Sequence, residues 1–99
     1  MAVEEHRALC AANNIEPLAD LSKGRPQRMA LVAGIVTYTR EPSKTRGTDY
    51  SSSFTITDPS LPQTVEGFVI NVFRTSVDQM PQVSVGDAVS CSVKVVHLI

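Results

Sequence analysis

The sequence predicts an all-β chain with small α content, and three observations carry that prediction. From Met29 onward, apolar and polar residues alternate with a period of two, the spacing of half-buried strands. Turn-forming residues divide the alternation into four runs, around Pro42 to Gly47, Asp58 to Pro62 and Gly86 to Asp87. Only the first dozen residues favour a helix.

The elements follow in order. Residues 3–12 hold Ala8, Ala11 and Ala12, good helix formers, and Asn13-Asn14 ends the run. Ile15 to Leu21, with Pro17, is a lead-in, and the SKGRP segment is a turn. The first strand is Met29 to Arg40. Leu31, Ala33 and Ile35 fall on one face, and Val32, Val36 and Tyr38 on the other. Gly34, mid-strand, marks a bulge or a sharp bend. Residues 41–49 form a loop. The second strand, Tyr50 to Thr57, sets Phe54 and Ile56 against Ser51, Ser53, Thr55 and Thr57. The third, Val65 to Phe73, offers Phe68, Ile70 and Val72 to the core and turns Val69, Asn71 and Phe73 the other way. On that half-polar face Phe73 is either a stacking platform or a cover for the core rim. Residues 74–83 are a turn or a single helical turn. The fourth strand runs from Ala88 to Ile99, with Val89, Cys91, Val93 and Val95 alternating against Ser90, Ser92 and Lys94. From Val96 to Ile99 the pattern slips, the sign of a bulge or a change of partner.

Strand, loop, strand, turn, strand, short connector, strand is the order of an oligonucleotide-binding (OB) fold, a five-stranded Greek-key barrel. Four strands are read here, so the last is expected to be lacking. The apolar VVHLI tail would then leave an open edge through which copies could self-associate. The chain divides into residues 1–28, a helix and lead-in, and residues 29–99, the OB-fold domain. With 99 residues, 42% apolar and 19% charged, it has room for one modest core and is not expected to be disordered.

Several function classes are set aside. No apolar run approaches the roughly 18 residues that span a bilayer, so no membrane association is expected. The acidic N-terminus lacks the features of a signal peptide. Cys10 and Cys91 stand 81 positions apart, which is neither a disulfide framework nor a zinc pattern. No nucleophile motif is present, no cysteine has a nearby histidine, and His6 and His97 share no metal-ligand spacing. No phosphate-binding glycine loop appears, so neither an enzyme nor a cofactor or metal is expected.

The charge is segregated. The formal net of −1 is far from the strongly basic balance usual for nucleic-acid binders. Yet residues 1–21 sum to −3, residues 22–46 to +5 and residues 47–99 to −3. The basic stretch comprises Lys23, Arg25, Arg28, Arg40, Lys44 and Arg46 against Glu41. Local potential steers a polyanion. Lys23, Arg25 and Arg28 either share in that field or merely decorate the connector around Gly24 and Pro26.

Three elements carry a resemblance. The GIV strand runs into a loop that closes on Arg46-Gly47-Thr48-Asp49-Tyr50; the next strand ends in TITDPS at Asp58; the third ends in Phe73, followed by Met80-Pro81 and Gly86-Asp87. Residues 29–95 thereby resemble the first OB fold of telomere end-binding and protection-of-telomeres proteins. The resemblance implies binding of G-rich single-stranded telomeric DNA overhangs for telomere end protection, in the nucleus at chromosome telomeres. It implies DNA contacts at Tyr38, Arg40, Lys44, Arg46, Gly47, Thr48, Asp49, Thr55 and Phe73. An aromatic stacks on a base, and a guanidinium stacks or pairs with phosphate. The Asp49 carboxylate either accepts from base amino groups or closes its loop on backbone amides. Tyr50 is read as a buried strand starter. The family's loop often holds a proline pair and an aromatic, where this chain has the single Pro42 and Ser43. Other proteins of a telomere complex are further candidate partners. An alternative is an OB-fold interaction module in a telomere or single-strand-binding complex that has lost DNA binding.

Overall fold

The computed structural model describes residues 2–25, 27–46, 49–75 and 82–96, without the side chains of residues 45, 46, 49 and 73–75. The element order is α1 (Val3–Ala12), a 3-10 helix (Leu18–Lys23), β1 (Arg28–Arg46), β2 (Asp49–Thr57), β3 (Phe68–Thr75) and β4 (Ala88–Val95). The four strands form one antiparallel sheet in the order β3-β2-β1-β4.

Helix α1 ends as its asparagines predict. Asn14 takes the left-handed conformation, φ 56°, and the Ile15 N–H donates to the Cys10 carbonyl at 2.8 Å. That reversal leads into the 3-10 helix, which buries Leu18 and Leu21. Lys23 belongs to this helix rather than to a turn, and Pro26 lies outside the described residues.

Strand β1 is longer than its alternation suggests. It continues through the expected loop to Arg46 and pairs with β2 out to Arg46 and Asp49. The pairing past Arg40 is irregular, with register shifts between Arg40 and Ser43 and between Lys44 and Arg46. Bulged pairing of this kind tolerates Pro42, which cannot donate to a ladder.

A further shift falls between Val36 and Tyr38, so Thr37 is the extra residue. Before it, Ala30, Val32 and Val36 face the core while Met29, Leu31 and Ile35 are exposed. After it the phase reverses, and Tyr38 and Arg40 are exposed. Tyr38 therefore does not share a face with Val32 and Val36, because the bulge moves it across the strand. Gly34 is three residues short of that bulge and pairs regularly with Val89. Its own requirement is a close approach, since a Cβ there would sit 2.7 Å from the Thr57 carbonyl oxygen.

Strand β3 starts at Phe68, later than expected, and runs on through Arg74 and Thr75. Gly67 delays its start. Its φ of +133° is open to glycine, and a Cβ there would lie 2.3 Å from the Ile56 carbonyl oxygen. Gly67→Ala should destabilise the fold by about 2 kcal/mol through backbone strain and the parting of β2 from β3. A chemical-denaturation midpoint equal to the parent's would refute this. Strand β4 stops at Val95, and residues 97–99, with His97, lie outside the described ones. The expected connector lies mostly at 76–81, also outside them.

One core joins the sheet to the N-terminal segment. Leu18, Leu21, Ala30, Val32, Val36, Phe54 and Ile56 are buried together. Phe68, Ile70, Val72, Val89, Cys91, Val93 and Val95 pack against them, half-buried. The core faces read from β2, β3 and β4 are those observed.

Candidate nucleic-acid interface

The outer face of β1, β2 and β3 is assembled by register. Past the Thr37 bulge, Tyr38 pairs with Thr55, and Thr55 pairs with Val69 on β3. One step along, Arg40 pairs with Ser53, and Ser53 with Asn71. Two rows of side chains thus cross the three strands on the side away from Phe54, Ile56 and Ile70. Side chains directly opposite in such rows lie about 4.5–5.5 Å apart at Cβ, close enough to act on one ligand. Tyr38 is 62% exposed and Val69 58%. Thr55 is half-buried, and its carbonyl accepts a bond from the Thr37 hydroxyl at 3.4 Å.

Of the residues singled out from sequence, Tyr38, Arg40 and Thr55 come together on this face. Lys44 is exposed farther along β1, where it pairs with Tyr50, which is half-buried. Arg46 and Asp49 form the last backbone pair of that hairpin, and Gly47 and Thr48 lie outside the described residues. Phe73 follows Val72 in β3, beside the register shift between Tyr50 and Ser52, and its side chain is not among those described. Ser53, Val69 and Asn71 were not singled out as contacts. Their alternation was legible, but their alignment with Tyr38 and Arg40 depends on the bulge.

The basic stretch divides in two. Arg28 is held by Glu16, its Nη1 donating to Oε1 at 2.8 Å and its Nη2 to Oε2, and it also reaches the Leu21 carbonyl at 3.3 Å. The hydrogen-bonded Glu16 carboxylate raises the Arg28 pKa above its ordinary value. Lys23 Nζ lies 3.8 Å from Asp20, which also takes two bonds from Arg7 at 3.1 and 3.2 Å. Lys23 and Arg28 therefore answer acids of the N-terminal segment, and the bases of the hairpin are Arg40, Lys44 and Arg46.

Asp58 closes β2 from beneath this face. It is the buried carboxylate of the described residues. Its Oδ2 accepts the Leu18 N–H at 3.0 Å, and its Oδ1 accepts the Ser60 N–H at 2.8 Å and the Ser60 hydroxyl. Ser60 Oγ in turn accepts the Ala19 N–H at 3.1 Å. His6 Nε2 lies 3.0 Å from Oδ2 and 3.4 Å from Cys10 Sγ. Burial alone would push the Asp58 carboxyl up, but the bonds from Leu18, Ser60 and His6 outweigh it and hold it below its ordinary range.

A cysteine does therefore have a nearby histidine, one helical turn away, contrary to the expectation from sequence. The grouping is not that of an activated nucleophile. A relay uses both ring nitrogens, whereas one nitrogen here faces both thiol and carboxylate. Burial, then the Asp58 carboxylate, pushes the Cys10 thiol up, away from the thiolate.

A mostly β chain with an open four-stranded antiparallel sheet and little helix is a partial OB fold. Residues 11–98 match the family model described as telomeric single stranded DNA binding POT1/CDC13, and the chain belongs to that family. The family is one of DNA-binding OB-fold proteins rather than enzymes. No curated protein and no solved structure matches the chain.

Proposed function

We propose that the chain binds G-rich single-stranded telomeric overhangs across the outer face of β1, β2 and β3, and so serves end protection at telomeres in the nucleus. Within a family of telomeric single-strand binders, the observation that carries this reading is the Thr37 bulge, which turns Tyr38 and Arg40 outward beside Thr55. Tyr38 and Phe73 stack on bases. Arg40, Lys44 and Arg46 meet phosphates or stack, and Gly47, Thr48 and Asp49 contact bases and backbone. In this reading residues 29–99 form the binding domain, and residues 1–28 support it.

Fluorescence anisotropy with a G-rich telomeric strand, a scrambled strand and a duplex tests it. The telomeric strand should bind tightest, and equal weak binding to all three overturns the reading. Three bases at the site predict a shallow salt dependence, with a log–log slope of roughly −2. A slope near −4 would show that Lys23, Arg25 and Arg28 contribute as well.

A second reading keeps the fold as an interaction module for other telomere-complex proteins or for another copy. The exposed Met29, Leu31 and Ile35 on β1 favour it. A folded chain that binds none of the three probes preferentially supports it.

A further inference from the structure

We propose that Asn71 is a specificity-determining residue that reads the edge of one base, next to the base stacked on Tyr38; this rests on the binding reading above.

Asn71 sits in the middle of β3, in the run VINVF, where asparagine is disfavoured and its neighbours are apolar and aromatic. A residue that breaks a local rule at an exposed position is expected where function requires it. Asn71 is exposed on the outer face, opposite Ser53, which pairs in turn with the exposed Arg40. The neighbouring row holds Tyr38, Thr55 and Val69. One row thus offers an aromatic ring and an apolar floor, and the other offers an amide, a hydroxyl and a guanidinium. An amide presents one donor beside one acceptor, matching the paired groups on a purine edge. Unstacked bases of a single strand expose those edges, which a duplex hides. Strand backbone holds the amide more precisely than a loop would, and its short side chain has few rotamers to lose.

The test is a scan of single-base substitutions in a G-rich telomeric repeat strand, measured by anisotropy for the parent, Asn71→Ala and Asn71→Asp. The parent should lose about tenfold or more in affinity at one purine position in register with Asn71. Asn71→Ala should bind the unsubstituted strand about tenfold more weakly and be indifferent to the base at that position, with the rest of its profile unchanged. Asn71→Asp, which only accepts, should shift that position toward cytosine. Variants with the parent's profile, or weakened equally on every strand, overturn the assignment. The parent's own preference for the telomeric over the scrambled strand separately decides the binding reading. Thermal melts of both variants should match the parent's, because the side chain is exposed.

Discussion

Asp58→Ala should cost about 3 kcal/mol of stability, more than any exposed substitution, because it strips several groups of their acceptor at once. The Leu18 N–H is buried and has Asp58 as its acceptor, and the partly buried His6 ring would be left with the weaker Cys10 sulfur at 3.4 Å. Calorimetry or denaturant titration reads the loss directly; a change under 1 kcal/mol would remove Asp58 from its role as the clamp between β2 and the N-terminal segment. The pH dependence follows from the same bonds. The folded carboxyl lies below its unfolded value of about 3.9, so its contribution is present above roughly pH 4 and is lost as pH falls through the folded value. Asp20, lowered by its bond from Arg7, titrates in the same direction but is more exposed and contributes less. Asp58→Asn should therefore flatten most of the acid limb of the stability curve below pH 4. An unchanged limb would assign acid unfolding to other carboxylates.

The second large effect is on binding. Tyr38→Ala and Phe73→Ala should each weaken binding of the telomeric strand by about 1–3 kcal/mol, the worth of one base stacked on an aromatic. Arg46→Ala should weaken it within a similar range. Tyr38 is so exposed that its removal should leave the melting temperature nearly unchanged, which separates loss of contact from loss of fold. Parent-like binding by all three variants would falsify the assignment of the groove.

The sequence makes much of this fold legible, for identifiable reasons. The helix over residues 3–12, the inward sets of β2, β3 and β4 and the turn at Asp58 were readable because each depends on neighbours within a few residues. The extent of β1 was not, since a chain carrying Pro42 reads as loop until a partner strand accepts irregular pairing. Nor was the fate of the bases. Lys23 and Arg28 count toward a positive stretch in sequence, but Asp20 and Glu16 answer them in space. Asp58 is the sharpest case. Its position in TITDPS helped to mark the family, yet its chemistry in the fold is that of an internal acceptor, which only the approach of Leu18 and His6 reveals. On the outer face of the sheet, Tyr38, Arg40 and Thr55 are residues to which the resemblance points, while Ser53, Val69 and Asn71 join them only through strand register.

Thr37 gives β1 something like a reading frame. Upstream of it even-numbered residues point inward, and downstream, through Arg40, they point outward. The strand can accept many single replacements on either side, because each alters one side chain in place. Smoothing the bulge into regular pairing with Thr37 retained is a different event: it would carry Tyr38 and Arg40 into the interior and turn Thr39 out. This stretch should therefore tolerate drift in composition far better than a one-residue slip of its pairing with β2.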